Sequence, residues 1–176
     1  MKRKISLLLA ILMIVLAGCG SSGDSKRAIS LNDLKQALTK EDYNNFAEYS
    51  LDPEEDFGLT NVSSATELSC YKNEENIGVE KFVNVIFFQC NSEKDALNAY
   101  NEIDFIFAND GMYLNNVKTS NGRKCTYKEA EDPEYGVVYF VIQVEDTVLI
   151  AVESWDVDGA GPYDYELNNI LESLGY

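Results

Sequence analysis

The strongest nucleophiles in this sequence are the thiols of Cys19, Cys70, Cys90 and Cys125, in a chain of 176 residues that contains no histidine. Without an imidazole there is no Ser-His-Asp or Cys-His catalysis and no histidine-containing metal site. A thiol attacks only as its thiolate, which needs a stabilising neighbour. Cys70, Cys90 and Cys125 instead lie in strand-like surroundings that favour inert burial. Their wide spacing matches no zinc template. Carboxylates are plentiful, with 30 Asp and Glu residues, yet no motif marks a catalytic pair. A carboxylate-based cell-wall hydrolase therefore ranks behind the non-catalytic readings. Asp156, Asp158 and Asp164 stand around Gly159 like part of a calcium loop. The glycine arrives too early and Leu167 takes the place of the bidentate twelfth ligand, so no metal is expected. No phosphate-cradling loop or dinucleotide fingerprint is present, and no cofactor is expected. Aromatic residues in or beside loops, Tyr113, Tyr135, Trp155, Tyr163 and Tyr165, form a possible binding surface for a sugar or a protein.

Cys19 differs from the other three thiols in its surroundings. Lys2, Arg3 and Lys4 precede an apolar run from Ile5 to Leu16, and Leu16-Ala17-Gly18 lead directly into Cys19. An apolar run of this length falls short of the ~20 residues of a membrane-spanning helix and suits the core of an export signal. The four residues Leu16 to Cys19 resemble the lipobox of bacterial lipoproteins. The resemblance implies diacylglycerol transfer to the Cys19 sulfur, cleavage before it, and anchoring on the extracytoplasmic face of the cell membrane. Residues 1–18 would then be a signal peptide, 19–29 a flexible Gly/Ser-rich tether and 30–176 one folded domain. Fully stretched, Gly20 to Ser30 reaches roughly 35 Å at about 3.3 Å per residue, which lets the body stand just off the bilayer.

The signal segment holds three of the 14 basic residues and none of the 30 acidic ones, leaving 11 basic residues and a formal charge of −19 after it. A field of that sign repels phosphate backbones and anionic lipid, so no nucleic-acid partner is expected and the lipid must do the anchoring. Its simplest consequence is solubility, with attraction of cations or basic partners as the alternative. Outside the cytoplasm, three remaining cysteines allow at most one internal disulfide. Cys70 and Cys125 share similar local sequences and are the favoured pair, with three buried free thiols as the alternative.

The elements that would position these residues follow from periodicity. Ser30 and Asp33 form a capping box for a helix with Leu31, Leu34 and Leu38 on one stripe. Thr39 to Asp42 repeats the start signal before Tyr43, Phe46 and Ala47, which reads as one long helix or, preferably, two short ones broken at Thr39. Residues 51–58 read as loop. Strands are expected at Glu67–Tyr71 and Lys81–Gln89. Ser92 and Asp95 open a helix through Phe107, with Ala96, Ala99, Tyr100, Ile103 and Phe107 recurring at helical spacing. Strands follow at Arg123–Glu129, Val137–Val144 and Thr147–Ser154, and a closing helix carries Leu167, Ile170, Leu171 and Leu174. The order α-ββ-α-βββ-α predicts an α+β fold, a mainly antiparallel sheet of about five strands packed by helices.

Pairing Val144 with Thr147 sets Ile142 against Leu149 on one face and Val141 against Ile150 on the other. Both faces are then apolar, unlike a sheet that is wet on one side. Coverage by the chain's own helices is the simplest solution, and both Val141 and Ile142 should be buried. With the lipobox, the helix start at Thr39–Tyr43, the strand and helix from Phe82 to Phe107, the hairpin from Val137 to Trp155 and the terminal Leu174-Gly175-Tyr176, the chain resembles the small surface lipoproteins of low-GC Gram-positive bacteria. That resemblance implies the location and supplies no activity. The expectation is a lipid-anchored, non-enzymatic domain that binds another envelope or exported protein. A binder of a small apolar ligand or sugar is the alternative.

Overall fold

The computed structural model describes residues 28–74, 79–109, 116–119, 125–132, 136–155 and 165–176. Among these residues four helices, α1 (Leu31–Lys40), α2 (Pro53–Phe57), α3 (Glu93–Asn109) and α4 (Leu167–Ser173), accompany seven strands. These are β1 (Asn44–Leu51), β2 (Val62–Glu74), β3 (Val79–Cys90), β4 (Asn116–Thr119), β5 (Cys125–Asp132), β6 (Val137–Val144) and β7 (Thr147–Trp155). The strands form one antiparallel sheet in the order β1-β2-β3-β7-β6-β5-β4. The fold is α+β, and the expected element order is retained with β1, α2 and β4 added to it.

Both faces of the sheet's central strands are covered by helices of the same chain. On one side Leu34 and Leu38 of α1 and Leu167, Ile170 and Leu171 of α4 pack on Leu68, Val85, Phe140, Ile142 and Leu149. On the other, Ala96, Ala99, Tyr100 and Ile103 of α3 pack on Ala65, Phe88, Val141, Val148 and Ile150. Val141 and Ile142, adjacent and pointing oppositely, are 0% and 1% exposed. The β6–β7 register pairs Val144 with Thr147, Ile142 with Leu149 and Val141 with Ile150, as the hairpin sequence predicts. Each large apolar side chain removed from water contributes about 1.5–3 kcal/mol, so two such faces give a sheet this small a substantial core.

The helix starts are as expected at two places. Ser30 Oγ accepts the Asp33 backbone N–H at 3.1 Å and donates to the Asp33 carboxylate at 2.8 Å. Ser92 and Asp95 repeat that exchange at the start of α3. The third start signal is overturned. Thr39 donates its hydroxyl to the Lys35 carbonyl within α1, Asp42 turns the chain at φ 65°, and residues 44–51 form β1. A β-bulge between Asn44 and Ala47, with Asn45 at φ 55°, inserts extra backbone into that strand. The bulge spaces Tyr43 and Phe46 three apart instead of two, which imitates a helical stripe. The stretch read as loop contains α2, begun by Asp52 accepting from Glu54 and Glu55, with Pro53 in its first turn and Gly58 at φ 71° closing it.

Candidate functional site

Alternation along the strands carries several polar residues to one end of the α1/α4 face. Lys72, Lys81 and Trp155 are register partners across β2, β3 and β7. The next same-face row holds Cys70, Val83, Glu153 and Val138. Glu153 is fully buried. Its Oε2 accepts the backbone N–H groups of Glu166 at 2.9 Å and Leu167 at 2.7 Å, and its Oε1 accepts the Tyr43 hydroxyl at 3.3 Å. The start of α4 has no side-chain cap of its own, so a carboxylate from β7 satisfies those amides.

Burial pushes the Glu153 carboxyl above its ordinary range. The two backbone N–H groups and Lys81 pull it back, and the charge on Glu166 adds to the rise. Burial also raises the Tyr43 hydroxyl far above its usual value, reinforced by the negative charges of Glu153 and Glu166. Burial thus disfavours the charged form of both groups, and the two are joined by a hydrogen bond inside the fold.

Two lysines facing each other across neighbouring strands would repel if left alone. Glu166 lies between them, bonded to Lys72 Nζ at 2.6 Å and to Lys81 Nζ at 3.1 Å. The Lys81 ammonium also stands 4.2 Å from the centre of the Trp155 ring, and Lys72 stands 5.1 Å from that of Tyr43. Lys81 is 2% exposed. These cations are therefore held by carboxylate and ring faces, which neutralises them within the protein.

Above this cluster, between α1 and α4, opens a groove of about 440 Å³ lined by Asp33, Gln36, Lys40, Glu41, Glu166 and Asn169 among others. Its walls are about evenly polar and apolar, with Ala37, Ile170 and Leu174 providing the apolar surface. Of its carboxylates, Asp33 accepts from Ser30 at the helix cap and Glu166 is claimed by two lysines. The groove thus offers hydrogen-bonding surface, with the exposed Glu41 as its third carboxylate.

Of the aromatics expected at a binding surface, Trp155 and Tyr165 are described, and both are half-buried. Trp155 is packed against the Lys81 ammonium and Tyr165 lies against the α1/α4 core. Tyr113, Tyr135, Tyr163, the calcium candidates Asp156, Asp158 and Asp164, and Cys19 with its signal and tether lie outside the described residues. Among the described residues no group of three or more metal-ligating side chains occurs. The Cys70–Cys125 disulfide is corrected. Cys70 is a free buried thiol on β2, and Cys125 lies on β5 with β3, β7 and β6 between them. The row through Cys70 reaches β5 at Glu131, six residues from Cys125. Four interstrand steps of about 4.8 Å already exceed the 7 Å limit for a bridge.

The buried charge cluster was not read from the sequence, although a signal for it existed. The register that buries Leu149 and Ala151 carries Glu153 onto the same apolar face, and Lys81 lies on the strand whose Val83 and Val85 are core. A charge on a strand buried on both sides needs a partner from elsewhere.

No protein-family model matches the sequence, and no curated protein matches it. Among the described residues no helix is long and apolar enough to cross a membrane.

Proposed function

We propose that this protein is a lipid-anchored lipoprotein of the extracytoplasmic face, whose folded body is a non-enzymatic module that binds another envelope or exported protein. The anchor is diacylglycerol on Cys19, for which the sequence Leu16-Ala17-Gly18-Cys19 behind an apolar signal core is the support. The observation that carries the binding role is the use of the sheet. Its two apolar faces are sealed by α1 and α4 on one side and α3 on the other, which leaves recognition to edges and outer surfaces. A small apolar ligand would need an enclosed pocket between sheet and helices, and that space is filled by side chains such as Leu38, Phe140, Phe88 and Tyr100. A carboxylate-based hydrolase finds little support in the α1/α4 groove, because Asp33 and Glu166 are already engaged there and Glu41 alone makes no acid/base pair.

Detergent-phase partitioning and mass spectrometry of the mature chain from its native host test the anchor. The expected product begins at Cys19 with a diacylglyceryl thioether, and Cys19→Ala leaves the protein unlipidated. A mature chain that starts elsewhere, or carries a free thiol at Cys19, overturns the placement. Cross-linking on intact cells tests the role: a defined protein joined to the wild-type chain is expected, and recovery of the chain alone overturns it.

A further inference from the structure

The geometry points to the open edge of β1 as a docking site for an extended, lysine- or arginine-rich segment of an exported protein, added to the sheet as an eighth strand. This deepens the binding role proposed above and rests on it.

Among the described residues the sheet ends in β1 on one side and β4 on the other. A very short edge strand is one way proteins blunt an edge, and β4 has four residues. β1 has eight, without proline, lysine or arginine. Its bulge is confined to Asn44–Ala47, after which Ala47 to Leu51 pair residue for residue with Ser69 to Ala65. The opposite side of that regular stretch presents the backbone N–H and C=O groups that an incoming strand needs. The single charge in the strand, Glu48, is ion-paired with Lys35 on the α1 face. On the other face Tyr49 is 56% exposed, an apolar side chain with a polar tip beside the open edge.

Charge selects the occupant. Immediately after β1 come Asp52, Glu54, Glu55 and Asp56, all exposed, in a helix whose last turn carries no basic residue. Glu67 is the register partner of Tyr49. A second copy of this chain would bring the same acidic flank, and the mature chain's formal −19, against itself. A basic strand meets complementary charge at the same backbone.

The test uses the full mature chain in detergent and three synthetic probes. One is an eight-residue peptide of alternating lysine and valine, the second has glutamate for lysine, and the third is the lysine peptide N-methylated at alternate amides. The lysine peptide is expected to bind at least tenfold tighter than the glutamate peptide, to weaken with salt, and to slow amide hydrogen exchange at residues 47–51. N-methylation is expected to abolish binding, and Tyr49→Lys with Ser50→Lys to reverse the charge preference. Equal binding of the N-methylated peptide, protection elsewhere, no binding, or a dimer that protects β1 would each overturn the inference. Photo-cross-linkers placed at Tyr49 and at Asn169, in the groove, separate this from the broader proposal in cells. Capture from Asn169 alone ends the edge inference and leaves the binding role, and capture from neither removes both.

Discussion

Glu153 accepts the backbone N–H of Leu167 at 2.7 Å, so a fully buried carboxyl on β7 closes the amide end of α4. The bond joins a strand to a helix beyond it in sequence, and α4 supplies Leu167, Ile170 and Leu171 to the core over β6. A group that fixes the closing helix in place influences the whole α1/α4 face.

The pH dependence of that bond has a definite sign. Burial raises the folded pKa of Glu153 above its model-peptide value of 4.5. The native state therefore keeps this proton longer than the unfolded chain does. The stability tied to it is fully present below the unfolded pKa and is lost as pH rises through the folded one. Glu153→Gln keeps an oxygen acceptor for the two amides and carries no charge to desolvate. Its stability relative to wild type is expected to improve as pH climbs from 4.5 to 8. Urea unfolding at several pH values checks this, and a difference that moves the other way would show that the native site prefers the carboxylate.

The sheet and helices were legible where one periodicity ruled. The β6–β7 hairpin alternates without interruption around Glu145-Asp146, so its register followed from its sequence. The α3 stripe of Ala96, Ala99, Tyr100 and Ile103 repeats at helical spacing and is buried as read. The reading failed at β1, where the bulge gives a strand helical spacing, and at α2, too short to show a stripe although Asp52, Pro53 and Gly58 mark both its ends. The charge cluster was hidden for a different reason. Tyr43, Lys72, Glu153 and Glu166 come from four separate segments, and only tertiary packing brings them together.

Removing the shared anion should expose the repulsion it offsets. Glu166→Ala leaves Lys81, 2% exposed, facing Lys72 without that carboxylate. A loss on the order of 3 kcal/mol in unfolding free energy is expected, as for broken buried ion pairs. Adding Lys81→Met should restore much of the loss, because an apolar side chain of similar length fills the site under Trp155. A double variant no more stable than the single one would show that Lys81 is not the group left stranded.

The thiols should be unreactive in the native state. Burial pushes Cys70 up to about 12, and Cys90 up to about 11 with help from Asp95 and Asp146. At pH 8 almost none of either is thiolate, and both are buried. Iodoacetamide labelling followed by peptide mapping should leave Cys70 and Cys90 unmodified until guanidinium unfolds the chain. A non-reducing map should contain no Cys70–Cys125 peptide, and finding one would contradict the strand order.

Gly58 closes α2 at φ 71°, and a Cβ added there would meet nothing within 4 Å. Backbone strain is then the whole penalty. Gly58→Ala should cost about 1 kcal/mol, and Gly58→Asn less, because asparagine tolerates the left-handed region better. Thermal unfolding of the two variants checks the ranking. Equal stability would place Gly58 outside that conformation in solution.

Burial on both faces makes adjacent positions equally sensitive, which an ordinary half-wet sheet does not. Val141 packs with Ala96, Ala99 and Tyr100 in the α3-side core, and Ile142 belongs to the core under α1 and α4. Ile142→Ala should lose about 2–5 kcal/mol through lost transfer energy and a residual cavity. Val141→Ala, removing fewer carbons, should lose about 2 kcal/mol. Chemical unfolding of both variants with wild type measures the pair directly. If either substitution lies within about 0.5 kcal/mol of wild type, the size usual for exposed positions, the helix over that face is not packed on the sheet in solution.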